Sequence, residues 1–430
     1  MPLETLDVVA IFIILAGLFI FVNTYFLKLP SSIGLMIMAL CLSFVILGAG
    51  IVFPDFREGT MRVLEDYEYR EVIFEVILTF LLFAGALNID FRRLAEERGP
   101  VLILAIFGVI ISTIITGTAA YYVLNAINLH LDYIYCLVFG ALISPTDPIA
   151  VISTVKRYNV SEKLRIRIEG ESLFNDGIAV VTALALLDLE TKELDHIIHF
   201  ADLFTTFTVD IVGGVLIGLF LGYVCFKLLD YIPNEQSELE ILVTLALLMA
   251  STQFAHYEAI EVSGKQAAVV MGLVVGNQGR SDRLVGAASE YVFKFWQLME
   301  QSLNAILYVL IGMEMLVIPL QFNYFAAGFF AFAIILFARW VSVFAPIKIM
   351  SRNRKFEPKT ISIMTWGSLR GGVPIALSLT LPEFEGRDLI ITMTYVVVVM
   401  SILYQGLTVN NMLKTTVGYR PIEDEGLKKA

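Results

Sequence analysis

The sequence predicts an all-α polytopic membrane protein with about 13 transmembrane helices, two of them broken. Three observations predict it. Of the 430 residues, 57% are hydrophobic and only 17% are charged, whereas soluble domains carry about 25% charge. Apolar stretches near or above the ~20 residues that cross a hydrocarbon core recur along the whole length. No long polar block separates them, so one membrane domain is expected over residues 1–416, and 417–430 is a cytoplasmic tail too short to fold alone.

In order, the expected spans are 6–27, 33–53, 72–89, 101–127, 133–155, 166–187, 207–231, 239–256, 265–277, 297–318, 323–349, 360–381 and 389–413. The first lacks a basic leader and a small-residue cleavage site, so it reads as a retained span rather than a signal peptide. Spans five and twelve carry helix breakers, and the division between nine and ten has the weakest signal. The acidic stretches Asp55–Glu71 and Asp188–Asp195 fall in loops and carry much of the net charge of −11. With the N-terminus outside, 22 Lys and Arg fall in cytoplasmic segments and 6 in outer ones, with Arg339 and Arg370 left inside spans. The positive-inside rule therefore predicts N-terminus out, C-terminus in and an odd number of spans.

A charged side chain at bilayer depth costs at least ~2.5–3.5 kcal/mol on insertion scales, so each one needs a reason. Span five contains Ser144-Pro145-Thr146-Asp147-Pro148. Pro145 removes the helical bond to the Ala141 carbonyl and Pro148 the bond to Ser144, and the freed backbone must be buried in protein or line a wet cavity. Asp147 in this break is either a membrane-depth ligand or the cap of a proline kink. Span six opens with Glu169-Gly170-Glu171-Ser172-Leu173-Phe174-Asn175-Asp176-Gly177. Ser172 and Asp176 are four apart on one helical face, with Glu171 and Asn175 on the adjacent stripe. Asp176 precedes an apolar run and is drawn into the membrane. Burial raises a carboxylate's pKa and a bound cation lowers it, so one acid holds a proton or a cation in competition. The alternative is a capping Asn-Asp pair. Span twelve contains Trp366-Gly367-Ser368-Leu369-Arg370-Gly371-Gly372-Val373-Pro374, again the composition of a broken helix. Arg370 needs an acid or exposed carbonyls, and Glu171 is its expected partner in a structural ion pair. Arg339 either snorkels or pairs. Spans five and twelve are the middles of two triplets that run in opposite directions, as an inverted repeat with two crossing broken helices requires.

Other classes find less support. Cys41, Cys136 and Cys225 each lie in an apolar span and read as packing residues. His130, His196, His199 and His256 show no zinc-like spacing. No feature indicates nucleic-acid binding or a cofactor. A cation channel needs no titrating acid. An intramembrane enzyme built on Ser144 or Ser172 would lack a histidine at membrane depth to activate it.

SPTDPIAV, GESLFNDG and WGSLRGGVPIAL, in this order, resemble the NhaP-type cation/proton antiporters, related to eukaryotic sodium/proton exchangers. The resemblance covers essentially the whole membrane domain. It implies a thirteen-helix protomer with a core, here roughly 101–187 and 323–413, and a separate dimerisation scaffold, working as a homodimer in the lipid bilayer by an elevator-like movement. Asp176 then resembles the aspartate that binds cation and proton, and Asn175 the asparagine before it. Asp147 and Thr146 resemble contributors from the unwound helix, Ser172 the serine one turn before the aspartate, and Glu171 with Arg370 the core ion pair. The transported Na+ would meet Asp176, Asp147 and Ser172. One aspartate, where electrogenic relatives have two, implies electroneutral exchange; potassium in place of sodium is the runner-up. Span three lacks the acid that some relatives place there, and Asn88 stands nearby as a supporting or packing residue.

Overall fold

A computed structural model of the chain describes residues 5–53, 67–147, 160–191, 196–232, 236–255, 262, 264–278, 287–319 and 321–417. Its helices are α1 Thr5–Val22, α2 Ser31–Val52, α3 Tyr67–Leu87, α4 Phe91–Ala126, α5 Tyr133–Leu142, α6 Glu162–Thr191, α7 His196–Tyr231, α8 Ser237–Ala255, α9 Gly264–Gln278, α10 Ala287–Met313, α11 Phe322–Met350, α12 Thr360–Trp366, α13 Val373–Leu379 and α14 Arg387–Met400. Beyond α14 the chain stays helical to Val417 through two π turns. With α12 and α13 taken as one interrupted span, these elements correspond to the thirteen expected spans. Seven helices among the described residues are long and apolar enough to cross a membrane by themselves. The second half of span five and the tail from 418 lie outside the described residues.

Three helices start well before their expected bounds: α4 at Phe91 rather than 101, α7 at His196 rather than 207 and α10 at Ala287 rather than 297. Asp90 Oδ1 accepts the backbone N–H groups of Arg92 at 3.0 Å and Arg93 at 3.2 Å, so it caps the first turn of α4. Pro100, which would be expected to break the helix, leaves the Glu96 carbonyl without its helical donor. The Arg354 guanidinium supplies one at 3.3 Å. A partner more than two hundred residues away thus makes a mid-helix proline tolerable.

The chain divides into two compact units. The first comprises Met1–Leu27, Met38–Ala95 and Leu184–Val317. Its core surrounds Trp296, fully buried, whose ring meets Phe83 edge-on at 4.6 Å and whose Nε1 donates to Thr244 Oγ1 at 3.0 Å. α9 packs closely on α3: a Cβ at Gly272 would lie 2.6 Å from the Phe83 carbonyl oxygen. Between membrane helices such small residues let backbones approach. Asn277 ties the α3–α4 turn to α9, donating to Ile89 O at 2.9 Å and accepting from Phe91 N at 2.5 Å.

The second unit comprises Lys28–Ile37, Glu96–Ala183 and Ile318–Ala430. One of its apolar clusters joins α4, α6, α11, α12 and the C-terminal helix through Leu104, Leu164, Ile168, Val343, Ile363 and Val409. At one end of this unit Arg167, fully buried, bridges Glu97 and Glu357 at 2.7 Å each, and Arg354 reaches Glu97 at 2.6 Å. The net charge of the four groups is zero, which is what makes burying two of them tolerable.

Candidate cation site at the crossing of two broken helices

α5 ends at Leu142, and the chain has no helix from Ser144 to Asp147. α12 ends at Trp366, and Gly367 to Gly372 separate it from α13. The two interruptions meet in an antiparallel bridge between Asp147 and Leu369, with Asp147 N donating to Leu369 O at 2.7 Å. Backbone groups that prolines and glycines release from helices are therefore paired with each other at the crossing, as burial in a membrane requires.

Arg370 completes that pairing. Its Nη1 donates to Ser144 O at 2.8 Å and Pro145 O at 2.9 Å. The Ser144 carbonyl is the one a continuous helix would offer to residue 148, a proline with no N–H to give. A guanidinium beyond the C-terminal end of α5 also matches the negative pole of that helix. The backbone N–H of Arg370 donates to Ser401 Oγ at 2.9 Å, Ser401 donates to Gln405 Oε1 at 2.6 Å, and Gln405 Nε2 donates to Trp366 O at 3.2 Å. Ser401 and Gln405 escaped the sequence reading. Two polar residues one turn apart inside an apolar span were the available signal.

The expected Glu171–Arg370 pair is corrected. Glu171 pairs with Arg339 of α11 in a bidentate contact, 2.5 Å to Oε1 and 2.8 Å to Oε2, and both residues are buried. Arg339 Nε donates to Ser368 Oγ at 2.6 Å, and Ser368 in turn bonds the Met364 carbonyl. Arg339 therefore neither snorkels nor stands alone: it clamps α6 to the broken end of α12. The Arg370 head group is committed instead to the carbonyls of Ser144 and Pro145 just beyond α5.

The remaining sequence-predicted residues gather around Thr146. Ser172 Oγ donates to the Thr146 carbonyl, and Asn175 Nδ2 donates to Thr146 Oγ1 at 2.9 Å. Thr146, Ser172 and Asn175 are all buried. Asn175 Oδ1 is buried with no hydrogen-bond partner among the described residues, an acceptor of the kind that folded proteins rarely leave unused. Asp147 and Asp176 differ from their neighbours in being only half-buried. The neutral residues are thus sequestered, while the two acid residues retain partial exposure, with Asp176 Oδ1 itself buried. Gly371 lies against Asp147 so closely that a Cβ there would be 2.8 Å from both Asp147 Cβ and Oδ2. Asn88 belongs to the other unit and closes the end of α3, donating to Ala84 O at 3.0 Å.

Two interrupted spans that cross beside membrane-depth acids define the architecture of a secondary transporter, which binds its ion where helices are broken. The family model for the sodium/hydrogen exchanger, transmembrane, matches residues 10–415. The chain is 39% identical to the Na+/H+ antiporter NhaP of Pseudomonas aeruginosa over 424 residues, 97% of this chain and 98% of that one. It is 31% identical to the Na+/H+ antiporter NhaH of Halobacillus aidingensis over 397 residues, 90% of this chain and 92% of that one. The fold is that of the sodium proton antiporter MjNhaP1 from Methanocaldococcus jannaschii, with a TM-score of 0.75 at 20% identity over 96% of this chain and 99% of that one. The chain belongs to the sodium/hydrogen exchanger family.

Proposed function

We propose that the chain is a secondary antiporter that exchanges Na+, and also Li+, for H+ across the plasma membrane, one for one and electroneutrally, by alternating access. Family membership and the antiporter names of its relatives support the chemistry. The observation that carries the reading is the pair of half-buried acids, Asp147 in the interrupted span five and Asp176 one turn beyond Ser172, set among buried oxygens.

Asp176 carries the exchange. It holds either the proton or the cation, because a bound cation lowers the carboxyl's affinity for a proton. Asp147, Ser172, the backbone at Thr146 and the amide oxygen of Asn175 supply hard oxygen ligands suited to Na+. The empty site with Asp176 charged resists passage through an apolar barrier; either ligand cancels the Asp176 charge and permits the movement. Asn175 in place of a second acid leaves one exchangeable charge, hence no net charge per cycle. The second compact unit, which holds every one of these residues, acts as the moving core, and the first acts as scaffold and homodimer interface. The basic residues put the C-terminus in the cytoplasm. No cofactor is required.

The test is transport by the purified protein in liposomes with an imposed pH gradient, with Na+, Li+ or K+ added and the membrane potential clamped or free. Gradient collapse by Na+ and Li+, indifferent to potential and abolished in a folded Asp176→Asn variant, is the expected result. Collapse driven by K+ alone would change the substrate, exchange steered by potential would refute the one-charge assignment, and normal exchange by Asp176→Asn would remove that residue from the centre.

A further inference from the structure

The end of α11 and the loop after it carry a feature that ion exchange does not use. Residues 348–359 contain Lys348, Arg352, Arg354, Lys355 and Lys359, in a chain whose net charge is −11. Arg354 is neutralised by Glu97, and the one acid of the loop, Glu357, by Arg167. The other four basic residues are exposed and make no ion pair among the described residues. Orientation by the positive-inside rule accounts for the number of charges on this side. It does not account for their being held in place. The loop is pinned by the two ion pairs just named and by Phe356, whose ring lies 4.8 Å from the Arg167 guanidinium carbon. Lys359 adopts a left-handed backbone at φ 65°.

The charges also continue an apolar track. α11 has 29 residues, about 43 Å at ~1.5 Å each, against a hydrocarbon core of ~30 Å, so its end emerges from the apolar layer. Trp340 and Phe344 are exposed, 44% and 37%, and stack at 5.1 Å. Lys348 follows Phe344 by four residues, on the same face of the helix. One side of α11 thus passes from stacked aromatic rings to uncompensated ammonium and guanidinium groups at the membrane interface.

We propose that this strip is a docking surface for an anionic phospholipid. Its acyl chain lies along Trp340 and Phe344, and its phosphate is held by Lys348 and Arg352, with Lys355 and Lys359 adding to the local field. A lipid is favoured over a soluble phosphate because the aromatic track leads directly into the charges. Clusters of four or more basic residues just cytoplasmic of a span attract anionic headgroups, at roughly a five-fold gain in affinity per charge. The orientation rests on the cytoplasmic reading above; the binding itself does not depend on which cation is exchanged.

The experiment titrates detergent-purified full-length protein with phosphatidylglycerol, phosphatidylcholine or soluble glycerophosphoglycerol and reads the thermal unfolding midpoint. Only phosphatidylglycerol should raise it, and the effect should shrink as salt rises from ~0.1 to ~1 M and the screening length falls from ~10 to ~3 Å. The variant Lys348→Gln/Arg352→Gln/Lys355→Gln/Lys359→Gln should need far more lipid for the same shift. An Arg98→Gln/Lys163→Gln control, altering two other exposed basic residues of the same unit, should match the unaltered protein. Equal shifts by both lipids, a salt-independent shift, an equal shift by the soluble headgroup, or an equal loss in the control would each overturn the proposal. The lipid and salt comparisons need no variant, so a misfolded quadruple variant would not shield it.

Discussion

At the scale of single residues, Gly371 and Arg339 matter in ways their chemistry alone does not suggest. Gly371 provides space. Its missing side chain lets the Asp147 carboxylate lie against the backbone of span twelve. Gly371→Ala should therefore displace Asp147 and destabilise the protein by about 1–3 kcal/mol, the usual cost of overpacking, while slowing exchange; an unchanged apparent affinity for Na+ would show that Asp147 need not sit there. Arg339 has the opposite problem, a charge that must be matched. Arg339→Ala leaves the Glu171 carboxylate buried without its partner, at a cost of about 3–5 kcal/mol. Adding Glu171→Gln removes the stranded charge, and the double variant should melt at a higher temperature than Arg339→Ala alone. If Arg370→Ala rather than Arg339→Ala were the variant rescued by Glu171→Gln, the pairing described above would be wrong. Glu171, Asp176 and Asp147 were legible from sequence because a charged residue inside an apolar span declares itself. Which arginine answers Glu171 was not, since both lie in spans and spacing along the chain says nothing of distance across it.

At the scale of elements, the broken helices depend on partners far away in sequence. Pro100 remains inside α4 because Arg354 takes the carbonyl that it frees, and Arg370 performs the same service for Ser144 in span five. The loop that carries Arg354 is itself held by Glu357. Burial pushes the Glu357 carboxyl up, but its own backbone N–H, the charge of Arg167 and hydrogen bonds from Ser161 and Arg167 outweigh it and hold the group below the usual carboxylate range. A depressed folded-state pKa stabilises the protein above the unfolded value of about 4.3, and that contribution is lost as pH falls through the folded-state value. Glu357→Gln should accordingly lower the unfolding temperature near neutral pH, and the difference should vanish in acid; a difference that persists unchanged in acid would refute this account.

At the scale of the whole molecule, sidedness follows from the distribution of charge. Lys163 is exposed near the start of α6, on the side assigned to the cytoplasm. In a Cys41→Ser background, where Cys136 and Cys225 are buried, a cysteine replacing Lys163 should react with an impermeant thiol reagent only when the cytoplasmic face is open. Labelling of intact cells would invert the topology. The division into two units has a similar logic: every residue assigned to the exchange site falls in one of them, so that unit can carry the site as a single body.

The sequence by itself determined that the chain is a bundle of membrane helices and where two of them break, and it singled out the acids that fall inside apolar spans. Hydropathy, proline and charge act locally against a uniform apolar solvent, so their signals survive in one dimension. Only the tertiary structure decided that Arg339 neutralises Glu171, that Arg370 closes the Ser144 and Pro145 carbonyls, that Ser401 and Gln405 support span twelve, and that α4 continues through Pro100. Each of these depends on the distance between groups far apart in the chain. In a medium with no water to satisfy a polar group, that distance selects the partner.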